Sequence, residues 1–258
     1  MRTAIVKPIP KNSNDPRLPT NYRGISLLST VYKVFTNVLN NRLSTFLESN
    51  SLLAEEQNGF RPKRSCEDHI TTLLTVLLNR KANNQSTYVA FVDAQKAFDR
   101  VDRKYMLYKL LKIGVTGKLY RIIKSVYKSC DCCLDINGNY TEKFISNVGV
   151  RQGDTLSPTM FNTFTNDLPK EINSLGLGIP IEDGEYLSIL LYADDIVLIA
   201  SSENDLQKML DTTYNWGQNW GINFNCDKTK VIHFRKKAVN VTGCNFSLGP
   251  TILDIVSE

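Results

Sequence analysis

Residues 189–200 read ILLYADDIVLIA, an apolar run interrupted by the adjacent carboxylates Asp194 and Asp195. A charge set into a buried strand loses hydration that the interior returns only through a cation or hydrogen-bond donors. The bland alternative is a hairpin tip that leaves both acids in water. Residues 87–99, TYVAFVDAQKAFD, repeat the arrangement, with an apolar strand over 87–92 ending at Asp93. Acids at the ends of separate buried strands can converge on a pair of Mg2+ ions, because hard cations prefer carboxylate oxygen and two of them serve both sides of a phosphoryl transfer. Such chemistry needs no nucleophilic side chain. In such a scheme a nucleic-acid 3′-hydroxyl would attack a nucleotide α-phosphate, and the metals would supply activation of that hydroxyl and neutralisation of the departing pyrophosphate.

Around these acids the pattern mixes helices with separated strands. Leu27, Leu28, Val31, Val34, Phe35, Val38, Leu39, Leu43, Phe46 and Leu47 recur at helical spacing, with Ser26 as the expected cap. Further helices are expected over 66–79, over 102–127 with a break near Gly114 to Gly117, over 158–172 and over 206–220. A hairpin is expected over 132–148, turning at Asn137-Gly138-Asn139, and a last strand within FNCDKTKVIHF at 224–234. The fold class that follows is α+β.

Composition adds bounds. The 258 residues are 42% hydrophobic and 22% charged, as in ordinary globular proteins, and the net charge of +5 suits an anionic partner without identifying one. No uncharged apolar stretch approaches about 18 residues and the first residues hold no signal-like run, so an intracellular protein without a membrane partner is expected, in nucleus or cytoplasm. Cys130, Cys132 and Cys133 crowd together, but the second Cys-x2-4-Cys pair or the downstream histidines that a zinc site uses are missing, Cys66, Cys226 and Cys244 being scattered and the histidines only His69 and His233. Small buried strand residues are therefore expected there rather than a zinc site.

The order and wording of the segments resemble the polymerase motifs of non-LTR (LINE-type) retrotransposon reverse transcriptases. FVDAQKAFDRVD at 91–102 resembles motif A, GVRQGDTLSPTMFN at 149–162 motif B, and YADD at 192–195 motif C. Upstream, NYRGISLLS at 21–29 and NGFRPKRSCEDHI at 58–70 resemble the fingers motifs; downstream, NWGINFNCDKTKVIHF at 219–234 resembles motif D. The resemblance implies an RNA-directed DNA polymerase with right-hand fingers and palm, the palm an antiparallel sheet backed by helices. Its expected division is fingers over 1–87, palm over 88–103, a fingers helix and hairpin over 104–150, and palm over 151–258. It implies template RNA, a DNA primer and dNTPs as partners, and two Mg2+ ions, with Mn2+ as a substitute. The oligomeric state stays open. Because motif D is followed so soon by the last residue, the chain is expected to stop before a thumb, as a fragment of a longer protein.

The same resemblance makes Asp93, Asp194 and Asp195 the catalytic metal ligands, and Lys228 the cation beside the departing pyrophosphate, with Lys230 its near competitor. Phe98 falls at the steric gate that rejects a 2′-hydroxyl, against a plain core phenylalanine. Gln152 and Gly153 fall near the nucleotide, with Ser157 and Pro158 opening the next helix, while Asp99 and Asp102 are expected to be structural or solvated acids. Lys11, Arg17 and Arg23 are candidate triphosphate contacts, and Arg61 and Arg64 candidate grips on the template backbone; solvated surface charge is the alternative for each. A Gly-Asp-Asp motif and a polar residue at the gate would have pointed to RNA synthesis; YADD and Phe98 point to DNA. Two other readings stay open: a weak or inactive RNA-binding remnant of such an element, and a group II intron maturase-like reverse transcriptase.

Overall fold

The computed structural model describes residues 3–11, 15, 17–128, 130–181, 184–236 and 242–256. The first half runs β1 (Thr3–Pro10), β2 (Tyr22–Leu27), α1 (Thr30–Ser49), α2 (Cys66–Ala82), β3 (Thr87–Asp93), α3 (Ala97–Arg100), α4 (Arg103–Lys112) and α5 (Gly117–Lys128). It continues β4 (Cys130–Ile136), β5 (Asn139–Tyr140), β6 (Phe144–Ser146), α6 (Ser157–Thr165), α7 (Leu168–Asn173), β7 (Ile179–Pro180) and β8 (Tyr186–Leu187). Last come β9 (Ile189–Tyr192), β10 (Asp195–Ala200), α8 (Glu203–Trp220), β11 (Lys230–Phe234), β12 (Ser247–Leu248), β13 (Thr251–Ile252) and β14 (Asp254–Val256). No described helix is long and apolar enough to cross a membrane.

The chain forms two compact units, each assembled from separated segments: Met1–Leu52 with Phe98–Phe164, and Leu53–Ala97 with Thr165–Glu258. These cuts fall at other places than 87/88, 103/104 and 150/151. The first moves because residues 56–58 hydrogen-bond along β9, which ties the segment after α1 to the second unit.

In the first unit the strand order is β2-β1-β4-β5, with β6 also on β4; β1 is antiparallel to β2 and parallel to β4. Cys132 and Cys133 are buried in β4 opposite Ala4 and Ile5, as expected for small strand residues; the side chain of Cys130 lies outside the described residues. Asn137 and Gly138 have φ of 53° and 87°, the two positive values that a tight hairpin turn demands. Asp102 caps α4 by accepting from the backbone N–H groups of Lys104 and Tyr105, and Gly114 (φ 93°) and Gly117 (φ 63°) make the expected break before α5.

Ser26 does not cap α1. It is a buried β2 residue paired with Val6, and Ser29 takes the cap by accepting from Tyr32 N–H. The apolar run Leu27-Leu28 hides this boundary, because it continues the helical period backwards into a strand. Along α1, Leu39, Leu43 and Leu47 are buried four residues apart, whereas Val31, Val34, Phe35 and Val38 are exposed.

The second unit holds a sheet of order β14-β11-β3-β10-β9, antiparallel except for the β11–β14 pair. Leu77 of α2 packs with Val89, Leu190, Ile199 and Ile179. Strand alternation puts Asp93 and Asp195 on this same face, four residues along from Val89 and Ile199. Helix α8 buries Leu206, Met209, Leu210 and Trp216 and packs against β3, β10 and α7. The helix expected over 158–172 is two helices instead: Pro169, at the start of α7, lacks the N–H that a continuous helix would need.

Candidate catalytic site

The acid-bearing run is a hairpin. Tyr192 pairs with Asp195 across β9 and β10, so Ala193 and Asp194 form its turn, with Ala193 in the left-handed region at φ 58°. Strand β10 then pairs with β3 so that Asp195 lies directly opposite Asp93. Side chains so placed have Cβ atoms about 4.5–5.5 Å apart, close enough for like charges to repel. Asp93 is half-buried and Asp195 more open. Burial first, and the Asp93 carboxylate second, push the Asp195 carboxyl above the usual carboxylate range. The tip therefore keeps its acids near water, as the bland reading holds, yet one of them faces a third acid across the sheet. Among the described residues no three His, Cys, Asp or Glu side chains are gathered into a metal-holding cluster. The register joins Asp93 to Asp195 and leaves Asp194 adjacent in the chain.

Asp93 is anchored by the loop before β11. Its N–H donates to Thr229 Oγ1 at 3.2 Å, its carbonyl accepts from Asn225 N–H at 2.8 Å, and the fully buried Thr229 hydroxyl donates to the Asn225 carbonyl. That loop carries Lys228, which is exposed, while Lys230 pairs with Asp254 on β14. The strand expected within 224–234 begins only at Lys230, because residues 225–229 turn back on the Asn225 carbonyl. Asn225 and Thr229 were not foreseen; a small polar residue in a turn gives no periodic signal.

The segment after α1 supports the hairpin from outside. Leu191 N–H donates to the Glu56 carbonyl and Asn58 N–H to the Leu191 carbonyl. Arg61 is only 7% exposed, and its guanidinium donates to the carbonyls of Ala54 and Gln57. This corrects the expectation that Arg61 grips a template: the group is spent on satisfying buried carbonyls and braces its loop. Arg64 is half-buried and pairs with Glu55, whose carboxyl that hydrogen bond holds below its ordinary range.

Within the first unit, Phe98, Asp99, Gln152 and Gly153 come together. Val150 N–H donates to the Phe98 carbonyl at 2.8 Å, and Gln152 Nε2 donates to Asp99 Oδ1 at 2.9 Å, so Asp99 orients Gln152. The Phe98 ring stacks on buried Phe161 with centroids 4.3 Å apart and remains partly exposed. Gly153, at φ 104°, sits where a Cβ would fall 2.8 Å from the Ser26 carbonyl oxygen, so only glycine fits without a shift. Ser157 and Pro158 open α6 as expected. Arg151 and Asp154, both buried, bracket the Tyr32 hydroxyl, which burial above all pushes upward in pKa. Arg23 is exposed on β2, Lys11 is half-buried at the end of β1, and Arg17 is paired with Asp15 at 2.8 Å.

Residues 9–246 match the family model described as "Reverse transcriptase (RNA-dependent DNA polymerase)". The chain is 26% identical over 252 residues to the RNA-directed DNA polymerase from mobile element jockey of Drosophila melanogaster, covering 95% of this chain and 27% of that protein. It is 31% identical over 220 residues to the Pol polyprotein from the type-2 retrotransposable element R2DM of the same species, covering 85% of this chain and 20% of that protein. The chain thus spans about a quarter of the length of the curated relatives it matches. Among solved structures, apo telomerase from Candida tropicalis truncated from its C-terminal domain aligns with a TM-score of 0.66 at 17% identity, covering 95% of this chain and 51% of that one. That likeness shows a shared fold. The matched residues span nearly the whole described chain and include every segment read above as a polymerase motif, and the chain belongs to the reverse transcriptase family, with relatives among retrotransposable elements.

Proposed function

We propose that this chain is the polymerising part of a non-LTR retrotransposon reverse transcriptase, extending a DNA primer with dNTPs on an RNA template. The observation that carries the reading is the register that sets Asp195 opposite Asp93, with Asp194 on the adjoining turn. Two carboxylates facing each other on one sheet are a poor structural choice unless a cation joins them. Asp93, Asp194 and Asp195 would hold divalent ions, Mg2+ or Mn2+, which supply charge neutralisation and activation of the attacking hydroxyl. The remaining roles belong to side chains. Lys228, on the loop that anchors Asp93, meets pyrophosphate charge. Gln152, held by Asp99, and Gly153 contact the nucleotide, Lys11, Arg17 and Arg23 reach its phosphates, and Arg64 contacts the template backbone. The chain supplies the fingers and palm of this polymerase, in an intracellular setting.

The test is Mg2+-dependent primer extension on an RNA template, with Asp194→Asn as control. Extension that Asp194→Asn abolishes supports the reading. RNA binding without extension by the unmodified chain would favour the non-catalytic remnant.

Phe98 is assigned to sugar choice. Its stacking on Phe161 fixes the ring plane, so trimming it to Val should leave Phe161 in place and open room for a 2′-hydroxyl. The expected result is a rise of about tenfold or more in relative rNTP use, since a steric clash worth more than about 1.4 kcal/mol is relieved. If rNTP and dNTP efficiencies fall in parallel, the ring is core packing only.

A further inference from the structure

The hairpin turn that carries the acids is held by a side chain from elsewhere in the chain. Gln57 is 2% exposed. Its Oε1 accepts from Ala193 N–H at 2.9 Å and from Gly59 N–H at 2.7 Å, and its Nε2 donates to the Ala193 carbonyl at 3.2 Å. One amide thus grips both peptide groups of a single turn residue. Those two peptide planes fix how the chain enters and leaves Ala193, and the second of them leads directly into Asp194.

The grip has a purpose because Ala193 is strained. Its φ of 58° is a region that a residue with a Cβ avoids, so an unaided Ala-Asp turn would relax toward other conformations. The backbone bonds of Glu56 and Asn58 to Leu191 deliver Gln57 to the turn in fixed register. Gly59 completes the fit: a Cβ there would fall 2.2 Å from Ala193 N, so the 57–59 backbone lies directly against the turn. Arg61, bonded to the Gln57 carbonyl, stiffens the segment from behind.

We infer that Gln57 is a positioning residue for the metal-binding acids, setting the direction of Asp194 through the Ala193 backbone while touching neither metal nor nucleotide. The inference rests on the polymerase reading above. Gln57→Met keeps the volume and removes every hydrogen bond to the turn. Mn2+ alone is the probe, titrated into the chain and read by electron paramagnetic resonance, alongside thermal unfolding and the Mg2+ dependence of primer extension.

Loss of a group that orients a ligand typically weakens metal affinity 10–100-fold, so Mn2+ binding should weaken by about tenfold. The Mg2+ needed for half-maximal extension should rise by the same factor, with dNTP KM little changed and excess Mg2+ restoring the rate. A merely structural role would lower the melting temperature and the folded fraction without moving the metal dependence. Unchanged Mn2+ affinity in folded Gln57→Met overturns the inference. Should that variant fail to fold, Gln57→Met combined with Ala193→Gly relieves the left-handed strain while leaving the turn ungripped, and Mn2+ affinity should still weaken in the same direction; unchanged affinity in the folded double variant overturns the inference equally. An unmodified chain whose Mn2+ binding is indifferent to Asp194→Asn would instead refute the underlying metal-site reading.

Discussion

Asp93→Asn should lower single-nucleotide addition by about a thousandfold while leaving the protein as stable as before, or slightly more so. The loss follows from the several kcal/mol that a metal-held charge contributes to a phosphoryl-transfer transition state, at about 1.4 kcal/mol for each factor of ten. The stability gain follows from the ladder. Asp93 and Asp195 are directly opposed, and a like-charge pair in that position costs roughly 0.2–1 kcal/mol, which a neutral amide removes. A substitution that disables the enzyme by damaging its fold would show the opposite sign in the melting curve. Single-turnover addition measured beside thermal unfolding checks both halves. Activity within tenfold of the unmodified chain would remove Asp93 from the catalytic set, and a clear drop in melting temperature would mean that the carboxylate supports the sheet.

The second large effect concerns stability alone. Trp216 is 1% exposed in α8, and its indole N–H donates to Asp167 Oδ1 at 2.9 Å next to the start of α7. Trp216→Ala should cost about 3–5 kcal/mol, since a buried ring is lost and the space cannot close fully. That is a large fraction of the roughly 5–15 kcal/mol that holds a typical domain folded. Because α8 backs β3 and β10, the damage falls on the sheet that carries the acids. Extension should then decline with the folded fraction while the KM of the surviving molecules stays put. Trp216→Phe should recover most of the packing and lose chiefly the hydrogen bond. A urea midpoint for Trp216→Ala that corresponds to less than about 1 kcal/mol of loss would show that the helix can repack around the gap.

The acids were legible in the sequence because a charge inside an apolar run violates the expected pattern, and the violation itself is the signal. The helices around Leu43 and Met209 and the Asn-Gly hairpin were legible through period and turn chemistry. Strands β1 and β2 were not. Pro8 and Pro10 argue against a strand, yet the ladder between β1 and β4 uses only Thr3 to Val6, so the prolines fall where β1 has no neighbour on that side. Gln57 was missed for another reason: a buried amide that satisfies backbone groups at a distant turn follows no periodicity, and its value depends on a partner 136 residues away. Arg61 misled in the same way, since an arginine spent on buried carbonyls reads like one waiting for phosphate.

The interleaving of the two compact units has a consequence for synthesis on the ribosome. Strand β3 ends at Asp93, but its partner β10 begins at Asp195, so 102 residues must be added before the first acid can meet the second. At about 5–20 residues per second, that is a wait of roughly 5–20 s. During it, TYVAFV is a nascent segment rich in β-formers and free of charge, with neither of its ladder partners β10 and β11 yet made. Neither unit can finish before the other has begun, since each contains a stretch that separates the two pieces of its neighbour. Translation speed and chaperone supply, more than final stability, should therefore set the yield of soluble protein.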